Sequence, residues 1–243
     1  METVRRLALW NVDHTLVDVG RVTREAYAEA FQRVTGRPLV RLAPTAGRTE
    51  SEIIFDTLAF NDIATEDHHL PEFMKALADA FAARRHSVRD HGRVLPGARE
   101  ALAAVGRLPG IVQSVLTGSI KPNAIVKLTE LGLDKYLDLE VGGYGSEVYS
   151  RAALIELARG HATRKYVEKT LGVMVVEPTT LLIADSVRDV QAAKIVGVPI
   201  VAVATGLATA AELRGAGADV VLSALDDTTA VLRAVDDLTR DSV

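Results

Sequence analysis

The chain has 243 residues, no cysteine and a formal net charge of −4. That length suits one large domain, or a core with a smaller insert, burying roughly 70% of the unfolded surface without staples. The missing cysteines exclude a disulfide framework, a thiol nucleophile and a Cys-based zinc site, and the interspersed charges leave no basic face for nucleic acid or a membrane surface.

Leu7–Val12 is a continuous apolar run, the mark of a strand buried on both faces. It breaks into Asn11, Asp13, His14 and Thr15. From Thr23 the pattern turns helical: Ala26, Tyr27, Ala30, Phe31 and Val34 recur at three- and four-residue steps, and Gly36 with Pro38 stops the helix. Thr45 to Thr49 is a polar loop opening a second helix with Ile53, Ile54, Phe55 and Leu58 on one face. A third helix is predicted from Pro71, through Phe73, Met74, Leu77 and Phe81, to about Ser87. The stretch from Val22 to about Asp90 therefore reads as all-helical, with no strand of its own.

Leu95 to Ala98 is a turn, and a helix follows over Ala98–Val105. Ile111–Leu116 is the next strand, ending in Thr117-Gly118-Ser119. A helix from Pro122 carries Ile125, Leu128 and Leu131 and closes at Gly132. Leu137–Val141 is a candidate short strand and Gly142–Gly145 a loop. A longer helix runs from about Arg151 through Ala158, with an open end before Pro178. Thr180–Ala184 is a third clear strand ending at Asp185, and a helix through Val190, Ala193 and Ile195 closes at Gly197. Pro199–Ala204 and Asp219–Leu222 read as strands, Ala210–Arg214 and Asp226–Leu238 as helices. Strands alternating with helices imply an α/β fold with a Rossmann-like parallel sheet. Residues 1–20 and 92–243 would form that core and 21–91 an inserted helical cap. The most apolar later stretch, Val198–Ala211, is cut by Pro199 and Gly206 and falls short of the ~18 residues of a membrane span. A cytoplasmic protein is the expectation, with the oligomeric state left open.

Three predicted strands end in polar residues: Asn11 and Asp13, Thr117 and Gly118, Asp185 with Asp189. In a parallel sheet these ends share one edge, where ligands bind. Carboxylates, a hydroxyl, backbone N–H groups and a nearby cation suit Mg²⁺ and a phosphate. Two acids four residues apart are by default a solvated helix face; the apolar strand before Asp185 argues otherwise. His68-His69 and Arg84-Arg85-His86 read as exposed cap residues. Gly142-Gly-Tyr-Gly145 lacks the third glycine of a dinucleotide fingerprint.

At these residues the chain resembles the haloacid dehalogenase-like superfamily, in the phosphoglycolate-phosphatase-like branch with a helical cap. Its first motif, Asp-x-Asp-x-Thr-Leu after an apolar strand, stands as Asn11-Val-Asp13-His14-Thr15-Leu16. The second corresponds to Val115-Leu-Thr117-Gly118, and the fourth, Asp-x-x-x-Asp, to Asp185 and Asp189. The cation of the third is matched by Arg151, with Lys121, Lys127 and Lys165 as alternatives. The resemblance implies a Mg²⁺-dependent phosphatase of a small phosphorylated metabolite. Position 11 would be the nucleophile and Asp13 the acid and base. Thr117 and Arg151 would hold the phosphoryl group, with Gly118 and the cap residue Arg48 near the substrate. Asn11, Asp13, Asp185 and Asp189 would form the metal site. A sugar phosphomutase and a catalytically silent binding protein are the alternatives. A phosphonate hydrolase would need a cap lysine, and Lys75 is the one available.

The departure that matters is Asn11. A carboxamide is nearly isosteric with a carboxylate, so the site should form, and its oxygen can still face Mg²⁺ as a neutral ligand. It has no anionic oxygen for attack on phosphorus. A chain that is inactive, or that traps its substrate, is the expectation.

Overall fold

The computed structural model describes residues 6–167 and 179–240. The first strand, β1 (Arg6–Trp10), is buried as its sequence predicts, and its alternate residues feed two cores. Ala8 and Trp10 join one apolar cluster; Leu7 and Leu9 join another. A strand with period-2 side chains between two helical layers needs apolar residues at every position.

The chain then makes β2 (Val17–Asp18) and four helices: α1 (Gly20–Thr35), α2 (Glu50–Phe60), α3 (His69–Ala83) and α4 (Arg85–His91). It returns through β3 (Arg93–Val94), which pairs antiparallel with β2. The helical insert thus leaves and rejoins the core on a two-stranded neck. The single third helix expected to Ser87 is instead two, broken at Arg84, whose guanidinium bonds back to Ala80 O (3.0 Å) and to Glu29 (2.5 Å). His69 is buried rather than exposed: its Nδ1 accepts from the Glu66 backbone N–H (2.9 Å) before α3.

The core continues with α5 (Ala98–Val105), β4 (Ile111–Thr117), α6 (Lys121–Glu130), β5 (Gly143–Tyr144), α7 (Arg151–Ala162), β6 (Thr179–Ala184), α8 (Val187–Val196), β7 (Ile200–Val203), α9 (Ala210–Gly215), β8 (Val220–Leu222) and α10 (Thr228–Thr239). Six strands form one parallel sheet in the order β5-β4-β1-β6-β7-β8. β1 lies between β4 and β6, with Trp10 level with Val115 and Ile183. The three polar strand ends are therefore neighbours.

The edge strand is not Leu137–Val141. Those residues turn, with Leu137 and Val141 buried as loop anchors, and Gly143–Tyr144 pairs with Leu116–Thr117 instead. A side chain at Gly143 would meet the Leu154 carbonyl at 2.6 Å, so the close approach of α7 explains a glycine in that strand. The helix from Arg151 ends at Ala162 and passes into a wider turn over Thr163–Val167. The region before Pro178, where the sequence marks no clear end to this helix, lies outside the described residues. Ile195 lies on α8 but faces solvent. No helix among the described residues is long and apolar enough to cross a membrane.

Candidate active site

Beyond β1 the chain turns sharply: the Leu16 and Val17 N–H groups both return to Val12 O at 3.0 Å. His14 holds φ +63° in this turn, a left-handed conformation that a glycine meets without strain. Its carbonyl accepts from Thr205 Oγ1 (2.6 Å). The turn holds Asn11 and Asp13 against the ends of β4 and β6.

Asn11 is buried, and three elements fix its amide. Nδ2 donates to Asp185 Oδ1 (2.7 Å) and to the Asp13 carbonyl (3.0 Å), and Oδ1 accepts from Arg151 Nη2 (3.1 Å). Asp185 Oδ1 also accepts from Thr15 Oγ1 (2.9 Å). Burial, then the charge of Asp189, push the Asp185 carboxyl up to about 6, against the pull of the Thr15 and Asn11 hydrogen bonds. Asp189 is fully buried. One of its oxygens takes Arg151 Nε; the other takes Ser186 Oγ (2.5 Å) and Ser186 N (3.3 Å), a capping box at the start of α8. Arg151 thus spans Asn11 and Asp189, and its side chain reaches the site from the first turn of α7.

Thr117 is buried, and its Oγ1 accepts from Ser119 N (3.1 Å). Gly118 meets the insert: its carbonyl accepts from Glu50 N (2.9 Å), and a Cβ here would lie 1.8 Å from the Arg48 carbonyl. Arg48 pairs with Asp56 through Nη2, and its buried Nε has no partner among the described residues. Asn11, Asp13, Thr117, Gly118, Arg151, Asp185 and Arg48 all line one cavity of about 360 Å³. Asp189 stands behind it.

Two further buried charged residues stand at the site: Lys127, an alternative for the third-motif cation, and Glu50, which the sequence did not single out. Lys127, on α6, donates to both oxygens of Asp13 (2.8 and 2.7 Å) and to Ser119 Oγ (2.9 Å), and lies over the Phe81 ring at 5.3 Å. Glu50, on α2, accepts from Tyr27 OH and from Ile120 N (3.2 Å). Burial raises the Glu50 carboxyl, against the Tyr27 hydrogen bond and the Lys127 charge, and raises the Tyr27 hydroxyl well above its usual value. The pattern carried a signal for both. Ala124, Lys127, Leu128 and Leu131 share a helical face, as do Glu50, Ile53, Ile54 and Leu58. The other candidate cations lie elsewhere: Lys165 bonds Asp138 (2.6 Å) and Glu140 (2.5 Å), and Lys121 faces the Tyr144 ring. Lys75 is exposed on Asp79 (3.0 Å) and does not line the cavity.

Mg²⁺ takes oxygen ligands in near-octahedral geometry. Asp189 is committed to Arg151 and Ser186, and Asp13 to Lys127. Among the described residues no three acidic or histidine side chains converge as metal ligands. Asn11 presents N–H, not oxygen, toward Asp185 and the Asp13 carbonyl. As the residues stand, they do not fit the ion.

A parallel sheet with carboxylates, a threonine and an arginine at its carboxyl edge, next to a helical insert, is the arrangement of an α/β enzyme with its site at the strand ends. The chain belongs to the haloacid dehalogenase-like hydrolases: that family's model matches residues 8–194. No curated protein matches the sequence. Among solved structures it is similar to CbbY from Rhodobacter sphaeroides in complex with phosphate, at 20% identity, TM-score 0.65, covering 91% of this chain and 95% of that one. It is also similar to a predicted phosphoglycolate phosphatase from Haemophilus somnus, at 15% identity, TM-score 0.60, covering 94% and 97%. A structure from Bacteroides vulgatus with a provisional beta-phosphoglucomutase name matches at 16% identity, TM-score 0.64, covering 99% and 93%. At these identities the likeness is one of fold.

Proposed function

We propose that this is the pocket of a phosphatase of small phosphorylated metabolites, and that the chain holds its ligand and turns it over very slowly. The observation that carries the second half is Asn11, an amide where the family's attacking carboxylate belongs, held by Asp185, Asp13 and Arg151. An amide oxygen cannot form the aspartyl-phosphate, and losing a covalent nucleophile can cost about 10⁶ in kcat. The first half rests on the cavity: Arg151 and the Thr117–Gly118 turn line it as phosphoryl contacts, and Arg48 lines it from the cap side. Asp13 is the acid and base of the intact reaction, and Asp189 positions Arg151. Residues 21–91 act as a cap that closes over the ligand, excludes water and sets specificity. The phosphate bound by the Rhodobacter structure favours the same ligand chemistry.

Asn11→Asp removes the N–H donors and adds a charge, which returns two carboxylates and a carbonyl oxygen, a set that fits Mg²⁺. The test is a panel of phosphorylated metabolites and p-nitrophenyl phosphate, assayed on both chains with and without Mg²⁺. Turnover is expected only in the Asn11→Asp form with Mg²⁺; no gain on that substitution refutes the phosphatase reading. A mutase assay on the same variant separates the phosphomutase alternative, which the Bacteroides structure's name keeps in view.

A further inference from the structure

We propose that the Asn11 amide stands in for the divalent cation, so that this chain binds no metal in the site and takes a phosphate-type dianion without one. The inference rests on the phosphoryl-ligand reading above.

The orientation of the amide decides it. Arg151 has only donors, so the atom 3.1 Å from its Nη2 must be the amide oxygen. Nδ2 then points at Asp185 Oδ1 (2.7 Å) and the Asp13 carbonyl (3.0 Å). These two oxygens, with an oxygen from position 11, are the donors a cation would need. Two N–H groups already satisfy them. Turning the amide to offer its oxygen would set its N–H groups against the guanidinium, donor against donor in a buried site, and would strip Asp185 Oδ1 of one of its two donors.

The neighbouring carboxylates give no substitute. Asp189 is held by Arg151 and Ser186, and Asp13 by Lys127 and Ser119. Asp185 Oδ2 is packed against Gly206, where a Cβ would meet it at 2.0 Å. Mg²⁺ gives up its waters reluctantly, and one carboxylate with an amide turned the wrong way does not repay it.

For the ligand the exchange is favourable. The amide removes one negative charge from beside the phosphoryl position, which is the repulsion a metal otherwise screens. Among the described residues Arg151 Nη1 has no hydrogen-bond partner, and it faces the Thr117–Gly118 turn, 3.5 Å from where a Gly118 Cβ would stand. That N–H is the donor available to a phosphoryl oxygen.

Two measurements on the unaltered chain decide the matter. The free-ion EPR signal of Mn²⁺, titrated to millimolar protein, is expected to stay undiminished, and calorimetric binding of inorganic phosphate is expected to agree within about twofold between EDTA and Mg²⁺ buffers. The Asn11→Asp chain is the positive control for Mn²⁺. Stoichiometric Mn²⁺ binding by the unaltered chain, or tightening of phosphate by about tenfold with Mg²⁺, overturns the proposal. If phosphate binds under neither condition, the metal-free dianion site is overturned together with the phosphoryl-ligand reading, while the Mn²⁺ result still decides whether the amide has displaced the cation.

Discussion

Asn11→Asp should cost stability at pH 8 in metal-free buffer and regain it with Mg²⁺. The substitution puts an oxygen where Nδ2 stands, 2.7 Å from Asp185 Oδ1 and 3.0 Å from the Asp13 carbonyl. The hydrogen bond to a charged acceptor is lost, about 1.5–3 kcal/mol. Charge adds to this. The two cations Arg151 and Lys127 face the three carboxylates of Asp13, Asp185 and Asp189, so the site already carries one net negative charge. A second, unbalanced at ~4 Å in an effective dielectric of ~20, costs up to about 4 kcal/mol, and the stronger pull on Arg151 returns part of that. The net expectation is a loss of about 2–4 kcal/mol.

The dependence on pH has a definite sign. Asp185 sits at about 6 in the fold against a usual 3.8, so the folded state holds its proton more tightly. Its stabilising contribution is present below pH ~4, falls as pH rises toward ~6 and is flat above. The new carboxylate raises the pair further and moves the loss into the neutral range. Urea unfolding followed by circular dichroism at pH 5 and pH 8, with and without Mg²⁺, measures all of this. Mg²⁺ at about 100 times its dissociation constant should return about 2.7 kcal/mol to the variant and none to the unaltered chain. Equal stability of the two chains at pH 8 without metal would refute the reasoning, as would Mg²⁺ stabilising both alike.

Gly118→Ala drives a methyl against the Arg48 carbonyl, a backbone atom that cannot swing aside. It should cost about 1–3 kcal/mol in urea unfolding and weaken phosphate binding in calorimetry, because the cap loop must lift off the Thr117 turn. Glu50→Ala leaves the Tyr27 hydroxyl and Ile120 N–H without their acceptor and should cost about 2 kcal/mol. Glu50→Gln keeps an acceptor and should cost less, and because burial raises the Glu50 carboxyl it should also remove the loss of stability that sets in as pH rises above ~4.5. Lys127→Ala should cost about 2 kcal/mol, less than a fully buried pair, since water reaches part of Asp13; an unchanged urea midpoint would mean the Lys127–Asp13 pair contributes nothing.

The sheet and the strand ends were legible because β1, β4 and β6 are local apolar runs that stop at polar residues. Burial on both faces needs no knowledge of the partner strand. The short elements were not. β5 is two residues, one of them glycine, and its identity depends on Leu154 approaching from α7. The Arg84 break has no proline or glycine to announce it. Lys127 reaches Asp13 across 114 residues, and Glu50 reaches Ile120 across 70. Each stands within a run of apolar residues at helical spacing, and a charged residue there must find a buried partner that spacing alone does not name.

The orientation of Asn11 was also beyond the sequence, although the residue itself was not. An isolated asparagine can turn either face toward a metal, so the residue by itself allows a neutral oxygen ligand. What excludes it here is the planar fork of Arg151. Its Nε is committed to Asp189 and its Nη2 to Asn11, so one guanidinium ties the end of β1 to the start of α8 and leaves the amide a single orientation. A lysine ammonium, a point charge on a flexible stem, would not impose that. Arginine at 151 and asparagine at 11 therefore belong together: the arginine keeps the strand ends assembled after the carboxylate is lost, and the same hydrogen bond turns the amide's donors onto the oxygens a cation would use.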